Sequence, residues 1–182
     1  MKIKKIIDGF RKSGSVTLLN KREEDGETVE QWITDGNAAY PLYHFPTLTA
    51  ADVQKIYEID EKKVNVREED MPESLLNAVA KAPVAEDVEP EALGISFRGY
   101  DVTPFMTSEG LKFYSTRYLD PLELKPETTL YKRVGDFLVI STGITVVCAV
   151  MPYKVITEEF CENLRKVFDQ CQTALENERD IT

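Results

Sequence analysis

The chain has 182 residues, of which 42% are hydrophobic and 30% are charged, as expected for a globular protein of one domain or two small ones. Its 22 Lys and Arg residues face 32 Asp and Glu residues, so the formal net charge is −10. This charge argues against a protein whose whole surface coats nucleic acid or an anionic membrane, although a local basic patch is compatible with it.

The N-terminal residues and the cysteines indicate the cellular compartment of the protein. Residues 1–12 are charged throughout and lack the apolar run of a secretory signal peptide. Cys148, Cys161 and Cys171 are odd in number, and the last two would lie about 15 Å apart along a helix over residues 158–176, beyond disulfide reach. We therefore expect reduced thiols in a cytoplasmic protein.

In the first half, a basic amphipathic helix is followed by strands. Apolar residues at helical spacing predict a helix over residues 1–12, which Gly14 ends. Its other face carries the cations Lys2, Lys4, Lys5, Arg11 and Lys12. Strands are predicted at Ser15–Asn20, Thr28–Thr34, Ala38–Phe45 and Lys63–Arg67. Short helices are predicted after the capping residues Thr49 and Asp70.

The second half repeats this plan. Residues 82–92, rich in Pro, Ala and acidic residues, are predicted to link a first unit, 1–81, to a second unit, 93–182. Strands are predicted at Ile95–Arg98, Asp101–Met106, Leu111–Tyr114, Thr128–Arg133, Phe137–Thr142 and Ile144–Met151, with a short helical stretch at Ser115–Leu122. The pattern predicts an α+β fold of helix-plus-antiparallel-sheet repeats with a possible internal duplication.

Two apolar stretches complete this outline. The uncharged run from Phe137 to Tyr153 is interrupted at residues 141–143 and closed by Pro152, so it predicts two buried strands and not a membrane span. An extra C-terminal helix is predicted from a long apolar stripe at helical spacing. The stripe consists of Phe160, Leu164, Val167, Phe168, Cys171 and Leu175.

The sequence motifs of known catalytic sites are mostly absent from this chain. Residues 9–14 have the glycine spacing of a phosphate-binding loop, but Ser15 and Val16 follow where Lys and Ser or Thr are needed. A single histidine, His44, and cysteines without paired short spacing predict no metal site. We therefore expect a non-enzymatic protein without a cofactor; metal-dependent hydrolysis by an acidic cluster is the enzymatic alternative.

Two stretches could form binding surfaces. The aromatic segment that contains Trp32, Tyr40, Tyr43, His44 and Phe45 could line a peptide-binding or base-stacking surface. Aromatic residues are also ordinary in strands, which favours sheet core and rim. The basic face of the first helix could contact phosphates, and a solvated helix face is the simpler interpretation.

Three stretches together resemble the sliding-clamp family, the rings that hold replicative polymerases on DNA. Residues 34–39 (TDGNAA) are similar to the Thr-Asp-Gly stretch that ends a strand hairpin in bacterial clamps. Residues 113–122 (FYSTRYLDPL) resemble the short strand and helix of a clamp repeat. Residues 129–155 resemble the last three strands, including the Val-Met-Pro tripeptide at Val150–Pro152.

The resemblance implies a non-enzymatic clamp-like protein that binds apolar peptides of replication or repair proteins in a pocket. The implied pocket consists of Thr34, Gly36, Asn37, Met151, Pro152 and Tyr153, and Asn37 stands where the family has His. The resemblance also implies that the cations of the first helix face double-stranded DNA. Because this chain is about half a bacterial clamp protomer, ring closure would require several copies, a homo-oligomer. A protein-only adaptor from a phage or mobile element is the alternative.

Overall fold

The computed structural model describes residues 2–97, 99–154 and 156–179. Four predicted segments extend onto residues outside the described ones: the first helix onto Met1, the strand Ile95–Arg98 onto Arg98, the clamp-like stretch 129–155 onto Val155, and the second unit onto residues 180–182. The α-helices are α1 (Ile3–Ser13), α2 (Ala50–Ile56), α3 (Glu73–Lys81) and α4 (Glu158–Arg179). Three short 3₁₀ helices span Ala82–Val84, Thr116–Tyr118 and Asp120–Leu122.

Eleven strands form two sheets in the described part of the chain. They are β1 (Ser15–Arg22), β2 (Thr28–Thr34), β3 (Ala38–Pro41), β4 (Asn65–Asp70), β5 (Glu86–Asp87), β6 (Ile95–Phe97), β7 (Tyr100–Thr107), β8 (Gly110–Ser115), β9 (Thr129–Val134), β10 (Phe137–Thr142) and β11 (Thr145–Val150). The large sheet has the order β4-β1-β2-β3-β11-β10-β9-β5, and β6-β7-β8 form the small sheet. Strands β1 and β4 run parallel and the other neighbours antiparallel. The predicted α+β class and C-terminal helix are confirmed.

Both halves of the chain contribute to the large sheet. Strand β3 pairs with β11 through Ala39 opposite Ala149 and Ala38 opposite Val150. Between the halves, residues 82–92 contain a 3₁₀ helix and strand β5, which pairs with β9. The division into two clamp-like units stays a prediction, although one continuous sheet now connects the segments assigned to them.

The large sheet is covered on both faces. On one face, α1, α2 and the small sheet pack against it, and the buried side chains there include Phe10, Val53 and Phe105. On the other face, α3 packs through Leu75 and Ala78 onto a cluster that contains Trp32. Side chains on both faces of the central strands are shielded from water. These strands therefore contain long buried stretches and not a strict alternation of buried and exposed residues.

Local chemistry explains where the elements begin and end. Helix α1 ends at Gly14, whose φ of 76° is left-handed and costs a glycine little. The predicted capping box opens α2, because Thr49 and Asp52 exchange hydrogen bonds between side chain and backbone. The Thr49 hydroxyl, which donates to Asp52 Oδ2 at 2.6 Å, and the Thr49 N–H together lower the pKa of Asp52. The strand predicted over Ala38–Phe45 ends at Pro41, because the chain turns after it: the Phe45 N–H donates to the Leu42 carbonyl at 3.2 Å, and His44 takes a left-handed φ of 66°.

Helix α4 contacts the rest of the protein mainly at its first turn. Phe160 is buried, and its ring stacks edge-on against Phe113 at a centroid distance of 5.6 Å, in a small cluster with Val102. The rest of the predicted stripe is exposed. In the part of the chain that the structure describes, no helix is long and apolar enough to cross a membrane.

Candidate functional site

The turn between β2 and β3 is held by its own side chains. Thr34 Oγ1 accepts a hydrogen bond from the Gly36 N–H at 2.9 Å. Asp35 Oδ1 accepts from the N–H groups of Asn37 at 3.0 Å and Ala38 at 3.2 Å. Gly36 takes a φ of 91°, which a residue with a Cβ adopts only with strain. This Thr-Asp-Gly turn is therefore a rigid support for the residues around it.

The strand register places Met151 beside this turn. The pairing of Ala39 with Ala149 and of Ala38 with Val150 continues one residue further, where the Met151 N–H donates to the Asn37 carbonyl at 2.7 Å. The turn and the end of β11 are therefore joined by backbone, over more than a hundred residues of sequence.

A pocket of about 270 Å³, which we call the Met151 pocket, opens at this junction. Its lining consists of Leu19, Thr34, Gly36, Asn37, Ala38, Ala39, Glu69, Pro72, Ser74, Leu75, Phe137, Ala149 and Met151. Buried apolar side chains of the α3 face form its floor, and Gly36, Asn37 and Ser74 are exposed at its rim. An apolar floor with a polar rim suits an aliphatic or aromatic side chain of a ligand.

Backbone pairing restricts how a ligand could bind there. The pocket lies over β1, β2, β3, β11 and β10, which are neighbours inside the large sheet. Their edges are already occupied by other strands, so a peptide could not add a strand at this place. Recognition in the Met151 pocket would therefore rest on side chains inserted into it.

Pro152 and Tyr153 lie on the other side of Met151. Together with Met151 they border a second pocket of about 400 Å³, which we call the Tyr153 pocket and which also contains Phe113 and Ile156. The Tyr153 N–H donates to the Phe113 carbonyl at 2.7 Å and fixes this segment on the small sheet. A narrow cleft of about 60 Å³ brings Asn37, Met151, Pro152 and Tyr153 together.

All six residues predicted for the peptide pocket thus lie around one junction, divided between two pockets that share Met151. Comparisons of the chain with protein-family models, with curated proteins and with solved structures found no match. The role of these residues in peptide binding stays a prediction.

Asp35 ties the same turn to two further elements. Its Oδ2 accepts hydrogen bonds from the Ser13 hydroxyl at 2.7 Å and from the Tyr118 hydroxyl at 2.8 Å, and Arg117 Nη2 lies 3.5 Å away. The Asp35 side chain is fully buried by these groups. Burial raises the pKa of Tyr118 to about 12, so its hydroxyl stays protonated and able to donate at neutral pH. Sequence reasoning missed this carboxylate.

The cations predicted to face DNA differ in their surroundings. Lys2 pairs with Glu123 at 2.5 Å, Lys5 Nζ donates to the Asp120 carbonyl at 3.4 Å, and Arg11 pairs with Asp8 at 3.3 Å. Lys4 and Lys12 are exposed on α1. Three of the five cations therefore contact acceptors of this chain, and Lys4 and Lys12 are exposed.

The other candidate groups are distributed between core and surface. Trp32 and Tyr40 are buried in the core, whereas Tyr43, His44 and Phe45 line an open groove of about 440 Å³. Among the described residues, no group of three or more His, Cys, Asp and Glu side chains could hold a metal ion.

The apolar residues of the Met151 pocket were also missed from sequence. Leu19, Leu75, Phe137 and Ala149 belong to β1, α3, β10 and β11. Each is an ordinary inward-facing apolar residue of its own element, and only the topology brings the four together. The signal available was the alternation of buried positions along each strand. It shows which residues point towards the core, but it does not show which other elements lie beside them.

Proposed function

We propose that this protein is a non-enzymatic interaction protein that binds short apolar peptide segments of a replication or repair partner in the Met151 pocket. The observation that carries the proposal is the hydrogen bond from the Met151 N–H to the Asn37 carbonyl. It joins two sequence segments, each of which resembles the peptide-binding region of sliding clamps, at the rim of one apolar pocket.

The size and chemistry of the pocket support this class of ligand. A volume of about 270 Å³ lies just below the range of pockets for drug-sized molecules, which suits one or two side chains of a peptide. The Tyr153 pocket continues past Met151, so an extended peptide could place successive apolar side chains in both. Pocket floors formed by buried core residues are rigid, which lowers the entropic cost of binding.

The DNA role implied by the resemblance is a second candidate, supported by the exposure of Lys4 and Lys12 on α1. The protein-only alternative is supported by the net charge of −10 and by the ion pairs of Lys2 and Arg11 within the chain. A phage or mobile-element adaptor would need only the peptide pocket. Whether the cations of α1 contact DNA therefore distinguishes the DNA-binding proposal from the protein-only one.

The peptide proposal can be tested with a minimal probe, the capped dipeptide acetyl-Leu-Phe-amide. In protein labelled at the methionine methyl groups, titration of this dipeptide should shift the NMR signal of Met151. The signal of Met106, which is 56% exposed outside both pockets, should stay in place. Acetyl-Ser-Gly-amide, which has no apolar side chain, should shift neither signal.

A matched pair of substitutions on α3 separates filling of the pocket from a general effect on the helix. Ser74 lines the Met151 pocket, whereas Asn77 is exposed on the same helix outside it. Ser74→Trp should weaken dipeptide binding at least tenfold, and Asn77→Trp should leave it unchanged. Equal binding by both variants, or no shift of the Met151 signal in the unmodified protein, would refute the proposal.

A further inference from the structure

Helix α4 presents an apolar stripe that the rest of the chain does not cover. The helix has 22 residues and is about 33 Å long. Leu164, Val167, Phe168 and Leu175 are between 43% and 58% exposed, and Cys171 is exposed between them. Helices in proteins gain most of their stability from packing an apolar face against other elements. This length and pattern therefore favour a covering surface.

The residues beside the stripe are mostly uncharged. Asn163 and Gln170 flank it on one side, and Gln172 lies next to Arg165 on the other. Two such stripes can meet antiparallel without placing like charges against each other, because most charged side chains lie on the opposite face of α4 and Arg165 would lie opposite the partner's Ala174. Amides at the border can also donate and accept hydrogen bonds across a pair of helices.

The charged face of α4 argues against other occupants. It carries the acidic residues Glu158, Glu162, Asp169 and Glu176 and the basic residues Arg165 and Lys166. Amphipathic helices that lie on anionic membranes carry Lys and Arg on this face. An acidic face would likewise repel nucleic acid. Neither of these charge arguments applies to a second copy of the same stripe.

The stripe is also self-complementary about its midpoint. A two-fold axis between Asp169 and Gln170 would place Leu164 opposite the partner's Leu175 and Phe168 opposite the partner's Cys171. Such an isologous contact closes on itself as a dimer. Because α4 is fixed to its own body at Phe160, the antiparallel arrangement sets the bodies of the two chains at opposite ends of the pair, which keeps two chains of net charge −10 apart.

We propose that α4 pairs with α4 of a second copy of this chain, antiparallel, through the stripe from Leu164 to Leu175. The pairing is independent of the proposed peptide binding. It would place two Met151 pockets in one particle, which raises the avidity for a partner with two apolar segments. The contact covers about three helical turns, less than a standard interface, so the association is weak and depends on concentration.

Sedimentation velocity over about 1 to 300 µM chain tests the pairing. The unmodified protein should shift from monomer to dimer over this range. Phe168→Glu places a charge in the stripe and should weaken association at least tenfold. Thr173→Glu adds the same charge on the opposite, exposed face and should dimerise like the unmodified protein. A strictly monomeric unmodified protein, or a dimer that Phe168→Glu leaves intact, would overturn the proposal.

Cross-linking tests the orientation. In a chain that carries Cys161→Ser and Cys171→Ala, Gln170→Cys lies next to the two-fold axis and should link two copies through a short bis-maleimide. Asn163→Cys would lie about 20 Å from its symmetry mate along the helix axes of an antiparallel pair and should not. Linkage at position 163, with or without linkage at position 170, would overturn the antiparallel arrangement.

Binding to vesicles tests the membrane as an alternative occupant of the stripe. The unmodified protein should not cosediment with vesicles of phosphatidylcholine and phosphatidylserine, because the charged face of α4 is acidic. Cosedimentation that Phe168→Glu abolishes and Thr173→Glu preserves would assign the stripe to a lipid surface and overturn the pairing.

Discussion

The Tyr118 hydroxyl donates a hydrogen bond of 2.8 Å to Asp35 Oδ2, across 83 positions of sequence. Asp35 belongs to the turn beside the Met151 pocket, and Tyr118 belongs to the 3₁₀ helix that follows the small sheet. The same carboxylate accepts from Ser13 at the end of α1. One buried side chain therefore couples the helix, the turn and the small sheet.

Loss of the Tyr118 hydroxyl should measure this coupling. We expect Tyr118→Phe to lower the free energy of unfolding by about 1 to 2 kcal/mol, because a buried carboxylate loses a donor. Urea denaturation followed by circular dichroism measures the change. Tyr43→Phe is the control, since Tyr43 is 38% exposed, and should remain within about 0.5 kcal/mol of the unmodified protein. Coincident unfolding curves for all three proteins would contradict the expectation.

A second polar network fixes the small sheet to the large one. Arg133 on β9 lies 3.2 Å from Glu86 on β5 and 2.5 Å from Glu109 in the turn between β7 and β8. The Ser108 N–H and the Arg133 guanidinium lower the pKa of Glu86, and Arg133 lowers the pKa of Glu109. Both carboxylates are therefore stabilised in their charged form by the fold.

These lowered pKa values predict how stability depends on pH. A carboxylate with a lowered pKa stabilises the fold above the ordinary Glu value of 4.5, and this stabilisation is lost as pH falls through the lowered value. A Glu86→Gln, Glu109→Gln variant should thus be less stable than the unmodified protein at neutral pH. The difference should shrink in acid.

Urea unfolding between about pH 7 and pH 3 measures this difference. The control is Glu23→Gln with Glu61→Gln, which changes two exposed acids and should follow the unmodified protein throughout. A difference for the Glu86 and Glu109 variant that stays constant over the whole pH range would contradict the assignment of these groups.

Much of the secondary structure follows from local pattern. Helix α1, the capping box at Thr49 and the hairpin of β10 and β11 were predictable because each depends on residues close in sequence. Segment boundaries were less predictable: β4 begins at Asn65 and reaches Asp70, whereas its alternation predicted Lys63–Arg67. Its pairing in parallel with β1 extends it beyond the alternating residues.

The arrangement of the site depends on contacts that no local pattern contains. The pairing of β3 with β11, which places Met151 beside Asn37, joins strands from opposite ends of the chain. Asp35 looked like an ordinary turn residue, because its partners Ser13 and Tyr118 come from other elements. Likewise, the apolar stripe of α4 predicted a helix correctly but gave no indication of whether the same chain covers it.

Charge reversal on α1 tests the proposed contact with DNA. If Lys4 and Lys12 contact phosphates, Lys4→Glu with Lys12→Glu should reduce by about 2 the slope of log affinity against log salt. Fluorescence anisotropy with a labelled duplex of about 20 base pairs measures it. Lys55→Glu with Lys166→Glu, both exposed on other helices, makes the same charge change. An equal loss in both variants would contradict a specific role of α1.

The three thiols should differ sharply in reactivity. Cys148 is fully buried, and burial raises the pKa of its thiol well above the ordinary value, so little thiolate is available to react. Cys161 and Cys171 are exposed. Intact mass after brief treatment of dilute native protein with N-ethylmaleimide should show two adducts, and a third should appear only in urea.

The position of Cys171 in the proposed helix pair gives this measurement a second use. At concentrations that favour the dimer, adduct formation at Cys171 should slow, because the residue would lie against the partner's Phe168, whereas Cys161 should react as before. The Phe168→Glu variant should show no such slowing, since its helices do not pair. Rapid modification of Cys148 in the native protein would instead show that the core between β3 and β11 opens readily, and the expected protection would be wrong.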